Sequence, residues 1–214
     1  MYSYVFRRIT SHLIHWMRNS GKGCWVLNVG SGPGFLERCL KDRFTDFNYV
    51  ALDISLEMAR LTKSTAPWLD VVLADAEALP FKTGSFEVIL SSRAIKFFNV
   101  PKFLNEANEI LSDEGSIGII FDCGDALWIR AIELLGKKID NGNQIRTLRS
   151  YDLKTSLCEA GFNVSTIAHI SMLPQSLFSH VPSSLFPILK FIDKPAFGNR
   201  IAFIASSKEQ KPAP

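Results

Sequence analysis

The sequence has few cysteines, and none of them belongs to a recognisable metal or redox motif. The four cysteines are Cys24, Cys39, Cys123 and Cys158. No two of them have the C-x-x-C spacing of a zinc or redox site, so we expect reduced, partly buried thiols. His12 and His15 lie at i, i+3 on a predicted helix, but zinc needs more protein ligands than two and no third stands nearby. We therefore predict no metal site.

Long apolar runs and excess charge of one sign are also missing. Charged and histidine side chains interrupt the apolar residues near the N-terminus, which argues against a secretory signal. No apolar stretch is long enough to span a bilayer, so we expect a cytoplasmic protein. The 24 basic and 21 acidic residues give a net charge of +3. Nucleic-acid-binding proteins usually have a concentrated basic face, so a nucleic-acid partner is disfavoured.

Length and composition indicate one globular domain. The 214 residues are 47% hydrophobic and 21% charged, which suits a single α/β domain with a full core. We predict a single domain over residues 1–207, with an N-terminal amphipathic helix within 1–20 and a flexible tail at 208–214. Residues 169–199 are apolar and interrupted by prolines, which predicts short helical pieces that form a cover or a lid. The alternative for this segment is peripheral contact with a membrane or a lipophilic substrate.

Short apolar strands alternate with helices from Cys24 onward. The predicted strands are Trp25–Val29, Tyr49–Leu52, Val71–Ala74, Phe86–Leu90, Ile117–Phe121, Phe162–Ala168 and Arg200–Ser206. The predicted helices are Phe35–Arg43, Leu56–Thr62, Lys102–Ile110, Ala126–Lys138 and Ser150–Glu159. For the last helix we predict Ser150 as the N-cap and Gly161 as a left-handed C-cap. The alternation indicates parallel crossovers and an α/β fold with helices on both faces of the sheet.

The first predicted strand runs into a glycine-rich turn. Gly30, Gly32 and Gly34 stand directly before a helix predicted from Phe35. Glycines let the backbone bend tightly and let a ligand approach, and a helix N-terminus offers free N–H groups. A dinucleotide-binding turn of the G-x-G-x-x-G type would need glycine where Phe35 stands. The turn therefore indicates a nucleotide-type ligand and disfavours NAD.

Carboxylates follow the next two predicted strands. Asp53 comes directly after Leu52, and its two oxygens can accept hydrogen bonds from both hydroxyls of a ribose, although an aspartate there can also cap the next helix. Asp75 follows the third predicted strand, where a carboxylate can accept the exocyclic amine of adenine while the next backbone N–H donates to the ring. Three successive strand ends of this kind predict an adenosine-containing ligand.

These stretches resemble the class I S-adenosylmethionine (SAM)-dependent methyltransferases, particularly the small type-11 group that includes enzymes of ubiquinone and menaquinone biosynthesis. The resemblance covers roughly residues 26–121. The matching stretches are VLNVGSGPG at 26–34, LDIS at 52–55, DAEALPF at 75–81, SFEVI at 85–89 and EILSDEGS at 109–116. The resemblance implies a Rossmann-like fold, with a seven-stranded, mostly parallel sheet whose last strand is antiparallel. It also implies SAM as the methyl donor and S-adenosyl-L-homocysteine as the product.

The resemblance further implies which residues hold SAM. The residues expected to face its methionine and ribose parts are Asn28, Gly30, Ser31, Gly32, Gly34 and Asp53. Those expected at the adenine are Asp75 and Ala76, with Ile54 and Met58 packed against the ring. Those expected to border the methionine end and the reacting methyl group are Ser91, Ser92 and Arg93.

Two positions depart from the family pattern. The family usually has an acid at the position of Asn28, where it helps to anchor the cationic α-amino group of SAM. Asparagine keeps an acceptor oxygen without the charge, which permits SAM binding but predicts a weaker anchor. Quinone-type enzymes commonly have histidines after the fourth strand, where residues 93–98 read RAIKFF here. This difference disfavours a quinone substrate.

Methyl transfer needs the nucleophile, the methyl carbon and the sulfur in line, so positioning and exclusion of water can supply much of the acceleration. A base is needed only if the acceptor must lose a proton. The candidate catalytic residues are Arg93, Asp122 and Asp125, with His169 more remote. Arg93 and Lys96 are alternatively expected to bind an anionic acceptor, and each of these charges can also be a solvated loop residue.

The sequence thus predicts a SAM-dependent methyltransferase that methylates oxygen, nitrogen or carbon on a small, lipophilic molecule. Residues 91–94 lack the Asn/Asp-Pro-Pro-Tyr type of tetrapeptide of planar-nitrogen methyltransferases, and no Pro-Cys pair of the cytosine C5 type is present. The alternatives are a SAM-binding, methyltransferase-like partner protein with little or no catalysis, an RNA methyltransferase, and a nicotinamide-dependent oxidoreductase.

Overall fold

Seven strands form one sheet in the structure, a computed structural model that describes residues 23–40, 47–122, 148–171 and 200–207. The strands are β1 Trp25–Val29, β2 Asn48–Asp53, β3 Asp70–Leu73, β4 Phe86–Ser92, β5 Leu111–Asp122, β6 Phe162–Ser171 and β7 Arg200–Ser207. Their order across the sheet is β3-β2-β1-β4-β5-β7-β6. All seven predicted strands are present.

Four α-helices and a short 3-10 helix accompany the strands in the described ranges. The α-helices are α1 Phe35–Leu40, α2 Leu56–Thr65, α3 Val100–Ile110 and α4 Ser150–Glu159, and the 3-10 helix is Ile95–Phe97. The predictions for residues 1–20, 126–138 and 208–214 lie outside the described residues. The predicted cover begins at residue 169, but β6 continues to Ser171, and residues 172–199 lie outside the described part.

The topology places the ends of β1 and its neighbours at one edge of the sheet. β1 pairs in parallel with β2 on one side and with β4 on the other, and β3 and β5 extend the parallel part outward. β7 is antiparallel to both β5 and β6, as the predicted fold requires. The strands that follow β1 in the chain, β2 and β3, extend the sheet on one side of β1, and the strands from β4 onward extend it on the other side. In open α/β sheets, ligands bind in the crevice at such a switch point.

The core lies on both faces of the sheet. Val26 and Leu27 are neighbours in β1, yet they are buried in different clusters because successive strand residues point to opposite faces. The cluster that contains Leu27 includes Phe103 of α3 and Leu157 of α4. Burial on both faces explains why the parallel strands read as nearly continuous apolar runs.

Local capping agrees with the predictions at one end of α4 and not at the other. Gly161 has φ +89, and its N–H donates to the carbonyl of Cys158 at 3.2 Å, which is the predicted left-handed end. The prediction of Ser150 as the N-cap is wrong. Arg149, with extended backbone, precedes the helix and makes no side-chain cap hydrogen bond, while Ser150 is already helical. The N-cap residue has a non-helical backbone, so Ser150, which is already part of the helix, is not the N-cap.

Two cysteines and the lengths of the helices bear on the predictions of free thiols and of no membrane-spanning segment. Cys24 is buried and Cys158 is exposed, both as free cysteines. Burial, reinforced by the nearby Glu87 carboxylate, raises the pKa of Cys24 to about 11, so this thiol stays protonated at neutral pH. No helix within the described ranges has the length and apolar character needed to cross a bilayer.

Candidate functional site

β1 ends in the glycine turn, at the switch point of the sheet. Gly30, Gly32 and Gly34 have φ values of 75, 57 and 73°, a left-handed conformation that favours glycine. The N–H groups of Gly30 and Ser31 both donate to the carbonyl of Leu52, at 2.8 and 3.0 Å. These bonds hold the turn against the end of β2.

Asp53, the last residue of β2, connects the glycine turn to the start of α2. Its Oδ2 accepts a hydrogen bond from the N–H of Gly32 at 2.8 Å, and its Oδ1 accepts one from the N–H of Ser55 at 3.0 Å. The N-cap of α2 is Ser55, whose Oγ accepts from the N–H of Met58, so Asp53 is not itself the helix cap. Each carboxylate oxygen has a second acceptor site, which leaves Asp53 able to bind a pair of hydroxyls.

Asp75 is the second residue of the loop that follows β3, and α3 holds this loop in place. Asp75 Oδ1 accepts from the N–H of Glu77 at 2.9 Å. Glu77 Oε1 in turn accepts from the N–H of Asn99, the N-cap of α3, and Glu106 Oε2 accepts from the N–H of Leu79 at 2.9 Å. The turn uses one oxygen of Asp75, so the other can accept from a ligand.

A cavity of about 520 Å³ joins these strand ends. The predicted site residues that line it are Asn28, Gly30, Ser31, Gly32, Asp53, Ile54, Met58, Asp75, Ala76, Ser92 and Arg93. Gly34 and Ser91 are not among its lining residues. Gly34 faces α2, because a Cβ there would lie 3.1 Å from the Cα of Thr62. Ser91 is buried and adjacent in β4 to Ser92, so the two point to opposite faces of the sheet.

Apolar side chains that the sequence did not single out as site residues complete the wall. They include Phe35, Leu36, Ala94, Phe97 and Phe98. Phe97 is 72% exposed although it is a large apolar residue, and Ile54 beside Asp53 is 67% exposed. The signal for the first of these was the phenylalanine pair at positions 97 and 98, which follows the end of β4.

The structure brings one of the candidate catalytic residues to the cavity. Arg93 lines it with φ +66°, unusual for a non-glycine residue, and its N–H donates to the carbonyl of Ile120 at 2.7 Å. Asp122 ends β5 opposite Arg200 of β7, and Asp125 lies outside the described residues. His169 lies in β6, which β7 separates from β5. Lys96 Nζ lies 5.0 Å from the centre of the Phe97 ring, a cation–π contact, and is not among the lining residues.

A buried polar group behind the glycine turn was not predicted. Glu37 Oε1 accepts a hydrogen bond from Asn28 Nδ2 at 2.6 Å and one from the Tyr49 hydroxyl at 3.0 Å. Burial raises the pKa of Glu37, with a smaller contribution from the Asp53 carboxylate, and the hydrogen bonds from Asn28, from the backbone of Glu37 and from Tyr49 oppose this. The sequence shows Glu37 only as a charged residue of a short helix, and its partners stand on two different strands.

The strand order and the site together define a class of protein. A doubly wound sheet with an antiparallel β7 carries a glycine turn after β1, an aspartate at the end of β2 and an aspartate after β3, all on one cavity. This is the architecture of a class I methyltransferase.

Comparisons with known proteins lead to the same family. Residues 27–119 match the model of the type-11 family, described as a methyltransferase domain. The malonyl-[acyl-carrier protein] O-methyltransferase of Halorhodospira halophila is 31% identical over 144 residues, which is 64% of this chain and 48% of that protein. The chain spans about half the length of the first curated relatives it matches. Over residues 27–119 it is similar to the type-11 class I SAM-dependent methyltransferases.

Solved structures share the fold over nearly the whole chain. A SAM-dependent methyltransferase of Thermotoga maritima has a TM-score of 0.69 at 20% identity, covering 96% of this chain and 91% of that one. The geranyl diphosphate C-methyltransferase of Streptomyces coelicolor, solved with S-adenosyl-L-homocysteine, has a TM-score of 0.67 at 15% identity, covering 94% and 81%. Identities this low establish the common fold and nothing finer.

Proposed function

We propose that the chain binds SAM in this cavity and transfers its methyl group to a small, lipophilic molecule. One observation carries the proposal: the glycine turn, Asp53 and Asp75 stand at three strand ends and face the same cavity. Each supplies a group that a different part of SAM needs. The volume of about 520 Å³ is in the usual range for a small-molecule site.

In the proposed complex, SAM lies along the edge of the sheet. The adenine amine donates to Asp75, and the ring packs on Ile54 and Met58, whose apolar surface it removes from water. Asp53 accepts the ribose hydroxyls while it keeps its bonds to the backbone of Gly32 and Ser55. The glycine turn and Asn28 would hold the methionine part.

The acceptor would lie where β4 ends. Ala94, Phe97 and Phe98 form an apolar wall there, and Arg93 adds a basic group that can orient an anionic part of the acceptor. The name of one similar protein specifies malonyl-[acyl-carrier protein] as its acceptor, which supports an acceptor with an acyl chain.

Methyl transfer from SAM requires few chemical groups of the protein. When bound, SAM would supply the methyl group: an electron pair of the acceptor would form the new bond to the methyl carbon, and the electron pair of the broken carbon–sulfur bond would stay on sulfur in S-adenosyl-L-homocysteine. The protein holds the two reactants in line and excludes water. Where the acceptor must lose a proton, Asp122 and Asp125 remain the candidate bases.

Two measurements test the proposal. Calorimetry should show SAM and S-adenosyl-L-homocysteine binding to the wild type and no binding to Asp53→Ala. Methyl-labelled SAM, incubated with the protein and a small-molecule extract of its source, should then place label in the organic-soluble fraction.

Other outcomes point to other functions. SAM binding with no transfer to a broad acceptor panel would favour a methyltransferase-like partner protein. Label confined to RNA or protein would contradict a small acceptor. Tight NADH binding that survives Asp75→Ala, with no SAM binding, would overturn the site assignment.

A further inference from the structure

A buried carboxylate lies behind the wall of the cavity. Glu37 is 1% exposed, and no lysine, arginine or histidine in the described ranges forms an ion pair with it. Removing an ionised carboxylate from water is costly unless a counter-charge or a full set of hydrogen bonds compensates. Glu37 therefore needs an explanation that packing alone does not supply.

The hydrogen bonds of Glu37 are incomplete. Asn28 and Tyr49 both donate to Oε1, at 2.6 and 3.0 Å, whereas the buried Oε2 has no hydrogen-bond partner within the described part of the chain. Such an arrangement leaves a partly compensated negative charge a short distance from the cavity. A cation bound in the cavity would stabilise it.

Asn28 connects this carboxylate to the cavity. Its Nδ2 donates to Glu37, which fixes the orientation of the amide, because a flipped amide would turn Oδ1 against a carboxylate oxygen. The Oδ1 atom is buried and has no partner among the described residues, and Asn28 lines the cavity. An unpartnered acceptor at a cavity wall can be satisfied by a bound donor.

We propose that Glu37 is a positioning residue for the cationic amino group of SAM and acts through Asn28. Glu37 holds Asn28 so that Oδ1 accepts from the ammonium group, directly or through water, and supplies the negative charge that asparagine lacks. The inference rests on the proposed function. It assigns the ammonium rather than the sulfonium, because the ammonium has N–H donors for Oδ1 and the sulfonium has none.

The test compares three ligands by calorimetry on the wild type and Glu37→Gln. Glutamine keeps an acceptor for Asn28 and removes the charge. SAM and S-adenosyl-L-homocysteine both carry the ammonium, and 5′-methylthioadenosine lacks the whole amino-acid part. We expect Glu37→Gln to weaken the first two by about tenfold and to leave 5′-methylthioadenosine within about twofold. Equal loss for all three, or no loss, would overturn the inference, and loss for SAM alone would reassign Glu37 to the sulfonium and so refute it.

Two variants separate charge from packing. Tyr49→Phe removes the 3.0 Å hydrogen bond and keeps the carboxylate, so we expect about a twofold change in S-adenosyl-L-homocysteine binding. A loss as large as that of Glu37→Gln would indicate a merely structural role. The double variant Asn28→Asp with Glu37→Gln returns the charge to β1, and it should recover the affinity to within about threefold of the wild type. Failure to recover in a folded double variant would count against the inference.

The pH dependence of the wild type supplies a readout without mutation. The groups that face Glu37 are Asn28 of β1, the Tyr49 phenol of β2 and, more distantly, the Asp53 carboxylate. Affinity for S-adenosyl-L-homocysteine should rise with pH as Glu37 ionises, relative to 5′-methylthioadenosine, which shares the contact with Asp53. Glu37→Gln should abolish that relative rise, and a rise that persists would refute the assignment. If the wild type binds none of the three ligands, the proposed function has failed instead.

Discussion

Gly30 and Gly32 share a left-handed backbone, yet alanine should have different consequences at the two positions. A Cβ on Gly30 would lie 2.2 Å from Ala94 Cβ and 3.2 Å from Phe98 Cζ, whereas a Cβ on Gly32 would meet no atom within 4 Å. The backbone strain of the two substitutions is therefore similar, and the collision with the segment after β4 is confined to Gly30.

The magnitudes follow from these two contributions. A left-handed alanine costs about 1–2 kcal/mol, and the lower entropy of the unfolded chain returns about 0.4–1 kcal/mol. Gly32→Ala should therefore lower the free energy of unfolding by about 1 kcal/mol. Gly30→Ala adds an overpacking cost of about 1–3 kcal/mol, for a total of about 2–4 kcal/mol. At about 2–4 °C per kcal/mol for a chain of this size, the Tm should fall by about 5–15 °C for Gly30→Ala and by about 2–4 °C for Gly32→Ala.

Thermal and urea unfolding of the two variants beside the wild type measure this difference. If Gly30→Ala were as stable as Gly32→Ala, the close approach of the turn to Ala94 would not exist in solution. Ligand binding should reveal an effect of Gly32→Ala that the unfolding experiments do not. The open space beside Gly32 is the cavity itself, so Gly32→Ala should weaken SAM binding by more than its small stability loss suggests, and an unchanged affinity would remove Gly32 from the site.

Three further predictions concern the carboxylates. Because burial raises the pKa of Glu37, ionising this group disfavours the folded state. Glu37→Gln should therefore stabilise the ligand-free protein at pH values above 4.5, the ordinary glutamate pKa; this gain grows with pH until Glu37 of the native protein has ionised, and it is absent below pH 4.5. Chemical unfolding at several pH values measures the trend, and no trend would be seen if Glu37 were solvated. Asp53→Ala loses the bonds to Gly32 and Ser55 and should cost about 2–4 kcal/mol of stability, with Asp53→Asn intermediate in urea unfolding; equal stability of both variants to the wild type would contradict the bridging role. Glu106→Gln keeps an acceptor for Leu79 and should leave SAM affinity within about threefold, while Glu106→Ala should weaken it more by loosening the Asp75 loop, and calorimetry that ranks them the other way would refute this.

The sheet was predictable because its strands are buried runs of apolar residues. β1 was predicted with its observed bounds, and most other strand ends differ from the prediction by one or two residues. The largest difference is at β5, which begins at Leu111 rather than Ile117, and β6 ends three residues beyond its predicted end. Leu111 pairs with Phe86 across a register shift, and the polar residues between Leu111 and Ile117 hide this from any pattern of hydrophobicity.

The site was predictable where the backbone determines it and less so where side chains do. The glycine turn, Asp53 and Asp75 follow strands, and parallel strands bring their carboxyl ends to one edge. Whether Ser91 or Ser92 faces the cavity depends on the phase of β4, which the sequence of that strand leaves open because both neighbours are serine. Glu37 could not be found, because its burial arises from contacts with β1 and β2 that no local pattern encodes.

The position of β7 between β5 and β6 bears on how this chain reaches its native state. β7 follows β6 in the chain but lies between β5 and β6 in the sheet. Ser116 of β5 pairs with Ser206 of β7, and Val164 of β6 pairs with Ala205 of β7. On a ribosome, β5 and β6 emerge before β7, so the edge of β5 that faces away from β4 has no partner until β7 arrives. Contacts this distant in sequence slow folding, and an unpaired strand edge invites association with other chains. Synthesis of this protein therefore passes through a stage at which a molecular chaperone has most to protect, and that stage ends when β7 inserts.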